Sequence, residues 1–201
     1  MKITSVDVIL VTLGRAATES SPWNPTIIRI HTDMGISGYG EMGLTYGRAK
    51  NAAYGMAQDF GRLILGMDPM DNEKIWDKLH RSTFWGLGNG GIVMSAISAI
   101  DIALWDIKGK ALGVPCYQLL GGKTNQKLRA YASQIQFDWG KESRCLVRPE
   151  EYAEAALKAI ADGYDAVKVD PVGFDSRGVW YGHKTYGIMD QKHLRLSVDR
   201  L

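Results

Sequence analysis

Residues 96–122 read AISAIDIALWDIKGKALGVPCYQLLGG, and their spacing decides the architecture of the first half of the chain. Together with Ile92, the apolar residues Ala96, Ala99, Ile100, Ala103, Leu104, Ile107 and Ala111 recur at the period of a helix with one face in a core. Asp101, Asp106, Lys108 and Lys110 ride on the same helix. Gly113 supplies its C-terminal stop, because glycine takes left-handed backbone without a Cβ clash, and Pro115 beyond cannot continue it. The stretch predicts one long amphipathic helix, from about Gly91, packed on a core.

Working outward, residues 2–13 alternate as a strand, and 14–25 read as a loop. TIIRIH (26–31) is a second strand, 32–35 a turn, and 36–41 a third strand. Helices follow at about 47–65, closed by Gly66, and at about 71–82. Three strands followed by three helices is an α+β pattern. Beyond Gly122 the order changes. Residues 128–133 form a strand, 149–161 a helix closed by Gly163, 164–170 a strand, and a further helix begins at Asp190 and runs into Leu201. That alternation is the βα repeat of a parallel sheet or barrel. The boundary falls near residue 125, giving domains 1–125 and 126–201.

Composition excludes several function classes. The 45% hydrophobic and 23% charged content is that of an ordinary globular chain. A net charge of +2 is too small to imply a nucleic-acid or anionic-membrane partner. Cys116 and Cys145 have neither metal-ligand spacing nor secretory context, so they read as free thiols of a cytoplasmic protein. No run approaches the ~18 apolar residues of a membrane span. Gly122-Lys123-Thr124 imitates the end of a P-loop, but Tyr117 stands where its first glycine belongs. The glycines at 86–91 follow a helix rather than a strand, unlike a dinucleotide fingerprint. The four histidines show no zinc spacing.

The order Ala-x-Ser-Ala-Ile-Asp-x-Ala-Leu-x-Asp-Ile-x-Gly-Lys, then Pro115 and Leu119-Leu120-Gly121, resembles the signature of the mandelate racemase and muconate lactonizing enzyme group of the enolase superfamily. Cys116 departs from it, where an aliphatic residue is usual. GISGYGE (35–41) resembles the third strand of that family's capping domain. The resemblance implies an α+β capping domain, a three-stranded antiparallel meander plus a helical bundle, followed by the first two β/α units of a TIM-type barrel. A (β/α)₈ barrel takes about 250 residues. About 75 follow the cap here, so the expectation is an apparently truncated, N-terminal half of a longer enzyme.

The second barrel strand carries the best candidate site. Side chains alternate, so valines 167 and 169 facing the helix layer would put Lys168 and Asp170 inside the barrel, near the strand's C-terminal end. A lysine held there is paired or functional. By resemblance Lys168 matches the first lysine of the superfamily's Lys-x-Lys motif. Asp170 stands where racemases of the group have the second lysine, the base that removes a proton alpha to a carboxylate. On the first barrel strand, Tyr131 and Ser133 alternate with Ala130 and Ala132, which places Ser133 or Gln134 at the barrel mouth. The loop PVGFDSRGVWYGHKTYG (171–187) is long for a barrel and carries Arg177 and His183. The family's lid loops correspond to 14–25, with Trp23 and Asn24, and 42–48, with Tyr46. Trp23, Asn24, Tyr46, Ser133, Gln134 and His183 are therefore the substrate-binding candidates, and Lys168 and Asp170 the catalytic ones.

The resemblance implies a Mg²⁺-dependent sugar-acid (aldonate) dehydratase, working by α-proton abstraction and β-elimination of water through an enediolate. A homo-oligomer is expected of the full-length enzyme. The family's metal carboxylates lie on the third, fourth and fifth barrel strands, so no metal ligand is expected in this chain. The alternatives are a racemase or epimerase using another base, and a catalytically inactive product lacking the metal ligands.

Overall fold

Period-two burial runs through the first three strands. β1 (Ile3–Leu10), β2 (Thr26–Thr32) and β3 (Ser37–Met42) form an antiparallel sheet in that order. In β2, Thr26, Ile28, Ile30 and Thr32 are buried while Ile27, Arg29 and His31 lie on the half-exposed face. On that outer face Arg29 Nη2 donates to Asp7 Oδ2 at 2.6 Å, across a directly opposed pair of β1 and β2. The computed structural model describes residues 1–11, 25–43, 50–84, 86–88, 90–140, 144–179 and 189–201. The chain divides into two compact units, Met1–Thr124 and Asn125–Leu201.

In the first unit, α1 (Lys50–Leu63) packs on β1, and α2 (Asn72–Arg81) packs on the long α3 (Gly91–Leu112). The sequence-predicted stripe of α3 is buried: Ala96, Ala99, Ile100, Ala103, Leu104 and Ile107 are all 0–1% exposed. Ile92 and Ala111, expected on the same stripe, are exposed instead. Val93, Ile97 and Gly109 take their place in the interior. The reason is that α3 is more than an amphipathic helix on one surface. It meets β2 and β3 on one side, α1 and α2 on others, and the short α4 (Cys116–Leu119) at its end. A helix so surrounded is apolar on most of its circumference. Gly113 ends it as expected, at φ +68°, with the Val114 N–H donating to the Gly109 carbonyl at 3.0 Å.

Close approach of α3 to β3 depends on two glycines. Gly38 and Gly40 point inward opposite Ile30 and Ile28 of β2. A Cβ on Gly38 would strike the Ala103 carbonyl, and one on Gly40 the Ala99 carbonyl. Small residues on both partners bring helix and sheet backbones together. The free edge of β3 is covered by α3 as well. The Tyr39 N–H donates to Asp106 Oδ2 at 3.0 Å, and Lys110 Nζ donates to Asp106 Oδ2 and the Ser37 carbonyl at 2.6 and 2.8 Å. An otherwise open edge is thereby closed with charge.

The second unit is a βαβ element followed by a helix. β4 (Ala132–Ser133) and β5 (Val167–Lys168) pair in parallel, α5 (Pro149–Ala161) connects them, and α6 (Gln191–Asp199) follows. Its core gathers Ala132, Ile135, Leu146, Tyr152, Ala155 and Ala159, with Val169 packed against them. Strands were expected over 128–133 and 164–170, and both are shorter. Leu128 and Tyr131 are 82% and 54% exposed, so the start of the first has no surface to pair or pack against. Its end is set by Gln134 at φ +68°, a conformation that no strand runs through. The last helix also stops before Leu201, with Arg200 as its C-cap. Pro149 and Gly163 bound α5 as the sequence predicts, Gly163 at φ +95°. Among the described residues, no helix is long and apolar enough to cross a membrane.

Candidate functional site

The two short strands set the geometry. Ser133 and Lys168 are direct register partners on β4 and β5, so they share a face. Ala132 and Val169 belong to the opposite face, in the core beneath α5. The predicted alternation therefore holds for Ser133 and Lys168. Lys168 is exposed, on the face that it shares with Ser133. One expectation needs correction. Val167 is 42% exposed and does not join the helix-side core. The Lys168 ammonium makes no ion pair or hydrogen bond with a described residue.

Asp170 lies just past the ladder and is half-buried. It is held by its backbone: its N–H donates to Gln136 Oε1 at 3.2 Å. No contact joins the Asp170 carboxylate to Lys168, so Asp170 does not orient the lysine. Gln136 Nε2 in turn donates to Gln134 Oε1 at 2.7 Å. One buried amide, which the sequence reading passed over, thus joins the ends of both strands. A second glutamine two residues after Gln134 was the available signal. Ser133, Gln134, Lys168 and Asp170 are brought together; Trp23, Asn24, Tyr46 and His183 lie outside the described residues.

The turn after β4 is strained at both ends. Gln134 and Asp138 are the non-glycine residues with positive φ among those described, at +68° and +70°. Such conformations cost of the order of 1 kcal/mol and persist where surroundings over-determine them. Around Asp138 the surroundings are an ion network. Its carboxylate accepts from Arg144 Nε at 2.8 Å, Lys158 Nζ at 3.1 Å and the Trp139 N–H at 2.7 Å. Burial pushes the Asp138 carboxyl up, but these three donors together hold it below the usual carboxylate range. A shallow cleft of about 500 Å³ opens beside the turn, lined by Ser133, Gln134, Phe137, Asp138, Trp139, Gly140 and Asp162. Lys168 does not line it.

The start of α5 adds Glu151, whose Oε2 accepts the Arg148 and Val147 N–H groups at 2.9 and 3.0 Å. Arg144 Nη1 reaches its other oxygen at 2.9 Å. The Arg148 N–H, Arg144 and the Val147 N–H lower the Glu151 pKa from 4.5 to about 2. A depressed folded-state pKa stabilises the fold above the unfolded value and is lost as pH falls through the folded value. Stability should therefore decline between about pH 4.5 and 2. Urea midpoints across that window should fall less steeply for Glu151→Gln than for the native chain. Some slope should survive in the variant, because Asp138 and Asp175 are depressed too.

Beyond β5 the long loop is anchored rather than loose over its described part. Arg200 is 4% exposed, and its guanidinium donates to the carbonyls of Val147, Pro171 and Phe174 at 2.9, 2.8 and 2.6 Å. It also lies 5.3 Å from the Tyr152 ring centre. Arg177, a loop candidate from the sequence, is spent on Asp175: Nε and Nη2 donate to Oδ2 at 3.1 and 2.8 Å. Burial raises the Asp175 pKa, yet Arg177 and two backbone N–H groups bring it to about 2. Among the described residues, no group of three or more His, Cys, Asp or Glu is placed to hold a metal ion.

Comparison with known proteins fits this architecture. Residues 9–121 match the model of the mandelate racemase / muconate lactonizing enzyme N-terminal domain. A D-galactonate dehydratase of Variovorax paradoxus is 46% identical over 143 residues, covering 71% of this chain and 34% of that protein. A D-mannonate dehydratase of Novosphingobium aromaticivorans is 37% identical over 189 residues, covering 92% of this chain and 42% of the relative. The chain thus spans between a third and a half of the length of these curated relatives. A solved member of the enolase superfamily from Salmonella Typhimurium superposes with a TM-score of 0.89 at 54% identity, over 99% of this chain and 50% of that one. The three-stranded sheet with its helices, and the small parallel sheet after it, are the capping domain and the start of the barrel in that fold. The chain belongs to the mandelate racemase / muconate lactonizing enzyme group of the enolase superfamily.

Proposed function

We propose that this chain contributes the cap and the first barrel strands of a sugar-acid dehydratase, a hydro-lyase acting on an aldonate. The observation that carries the reading is the pairing of Ser133 with an exposed Lys168, which makes no ion pair with a described residue, at the ends of adjacent parallel strands. It gains support from relatives named for the dehydration of galactonate and mannonate. The C-terminal ends of parallel barrel strands are where such enzymes keep their chemistry.

A base takes the α-proton, a proton is delivered to the departing β-hydroxyl so that one water is expelled, and the enol left behind moves its hydroxyl proton to carbon. The C–H bond alpha to the carboxylate breaks, and its electron pair spreads onto the carboxylate oxygens. The β C–O bond then breaks, the hydroxyl leaves as water, and the resulting enol becomes a 2-keto-3-deoxy acid. Lys168 contributes charge. Its ammonium, free of any described carboxylate, interacts more strongly with the dianionic enediolate than with the monoanionic ground state. The Ser133 hydroxyl, its register partner, donates to the same group of oxygens. Asp170, an acceptor when ionised, is suited to a substrate hydroxyl rather than to the carboxylate. The magnesium ion implied by the family has no ligand set among the described residues.

An aldonate library incubated with the protein carrying this sequence tests the reading. The expected product is a 2-keto-3-deoxy acid, formed with loss of one water per substrate consumed. Exchange of the α-proton in heavy water with inversion of that carbon, and no loss of water, overturns it in favour of a racemase or epimerase.

A further inference from the structure

Gln136 is 2% exposed, a buried amide in a turn. Three hydrogen bonds hold it. Its backbone carbonyl accepts the Leu146 N–H at 2.9 Å, its Oε1 accepts the Asp170 N–H at 3.2 Å, and its Nε2 donates to Gln134 Oε1 at 2.7 Å. Chemistry permits one polarity for this chain of bonds. A backbone N–H can only donate, so the Gln136 atom facing Asp170 is its oxygen. The other end of that amide is then an NH₂ group, which also only donates, so Gln134 must meet it with its own oxygen. Both Nε2 hydrogens of Gln134 are thereby left without a described partner, on an exposed side chain. Gln134 holds left-handed backbone, at φ +68°, where its side chain accepts from the buried amide two residues on.

We propose that Gln136 is a positioning residue that locks the Gln134 amide in this polarity, leaving its NH₂ group for an anionic oxygen of the ligand. With the neighbouring Ser133 hydroxyl and the Lys168 ammonium, the ends of β4 and β5 become a donor-rich cluster suited to a carboxylate. The choice of a sugar-acid carboxylate rests on the dehydratase reading above; the lock itself does not.

Two variants separate the lock from simple packing. In Gln136→Glu the ionised side chain still accepts from the Asp170 N–H but has no hydrogen to give Gln134, so the lock opens. Lowering the pH protonates that glutamate, above its ordinary pKa of about 4.3 because it is buried, and restores the missing donor. Gln136→Met has no such recovery. Two readouts are taken on the whole protein. One is the ¹⁵N side-chain NH₂ signal of Gln134, assigned by its loss in Gln134→Ala. The other is KM and kcat for the best aldonate, each measured relative to the native protein at the same pH.

At neutral pH, Gln136→Glu should shift the Gln134 signal and raise KM by roughly 10- to 100-fold, with a smaller change in kcat. Both should return toward native values on acidification, while Gln136→Met stays impaired at every pH. A Gln134 signal that ignores pH in Gln136→Glu, or equal and irreversible damage in both variants, overturns the lock. If the signal reverses with pH but the native protein binds no aldonate, the lock stands and the dehydratase reading falls.

Discussion

Alanine at Gly40 is expected to destabilise the first unit severely, and alanine at Gly38 to come close to the same result. The added methyl has nowhere to go. It meets the Ala99 carbonyl at Gly40, or the Ala103 carbonyl and the Ile107 side chain at Gly38. These carbonyls are bound into the backbone ladder of α3 and cannot rotate aside as a side-chain tip could. Overpacking a core typically costs about 1–3 kcal/mol, and more where backbone must shift. Here the sheet has to part from the helix that fills the interior, so at least about 3 kcal/mol is expected from each substitution. Against a total stability of about 5–15 kcal/mol, that is a large loss. Urea unfolding followed by far-ultraviolet dichroism reads it directly. Glu41→Ala, on the exposed face of the same strand, should stay within about 0.5 kcal/mol of native. An unchanged midpoint for Gly40→Ala would show that α3 does not lie where the structure has it.

Lys168→Ala should lower turnover of the best sugar acid by about 10²–10³-fold, the usual loss when one preorganised donor to a developing negative charge is removed. The fold should survive. Lys168 is exposed and makes no ion pair with a described residue, so its truncation should move the unfolding midpoint by less than about 0.5 kcal/mol. Lys168→Arg keeps the charge on a broader, planar group and should recover part of the loss. Asp170→Ala should be milder than Lys168→Ala. Gln136 holds Asp170 through the backbone N–H, which alanine retains, and the carboxylate does not contact the lysine. Near-native turnover for Lys168→Ala on every aldonate that the protein accepts removes Lys168 from the site.

The legible parts of this protein are those whose cause is local. The buried stripe of α3, the stop at Gly113, the alternation of β2 and the limits of α5 at Pro149 and Gly163 all follow from periodicity, left-handed glycine or a fixed proline φ. So does the common face of Ser133 and Lys168, because alternation is a property of each strand alone. Exposure is not local. Lys168 is exposed, and its surroundings depend on which elements cover that face rather than on its own strand. Ile92 and Ala111 fit the helical stripe by spacing but are exposed, while Val93, Ile97 and Gly109 turn inward because α3 is packed on several sides.

By itself, then, the sequence determined the order of elements, the family signature and the identity of the residues on the site-bearing strands. Tertiary structure alone decided what those residues touch. Gly38 and Gly40 read as ordinary strand glycines until α3 is laid against them. Gln136 meets Asp170 across 34 residues, and Arg200 meets the Val147 carbonyl across 53. No periodicity or motif encodes such pairs. Each bond forms between groups that the backbone brings together only once the sheet and helices have packed, and burial then makes leaving them unpaired costly.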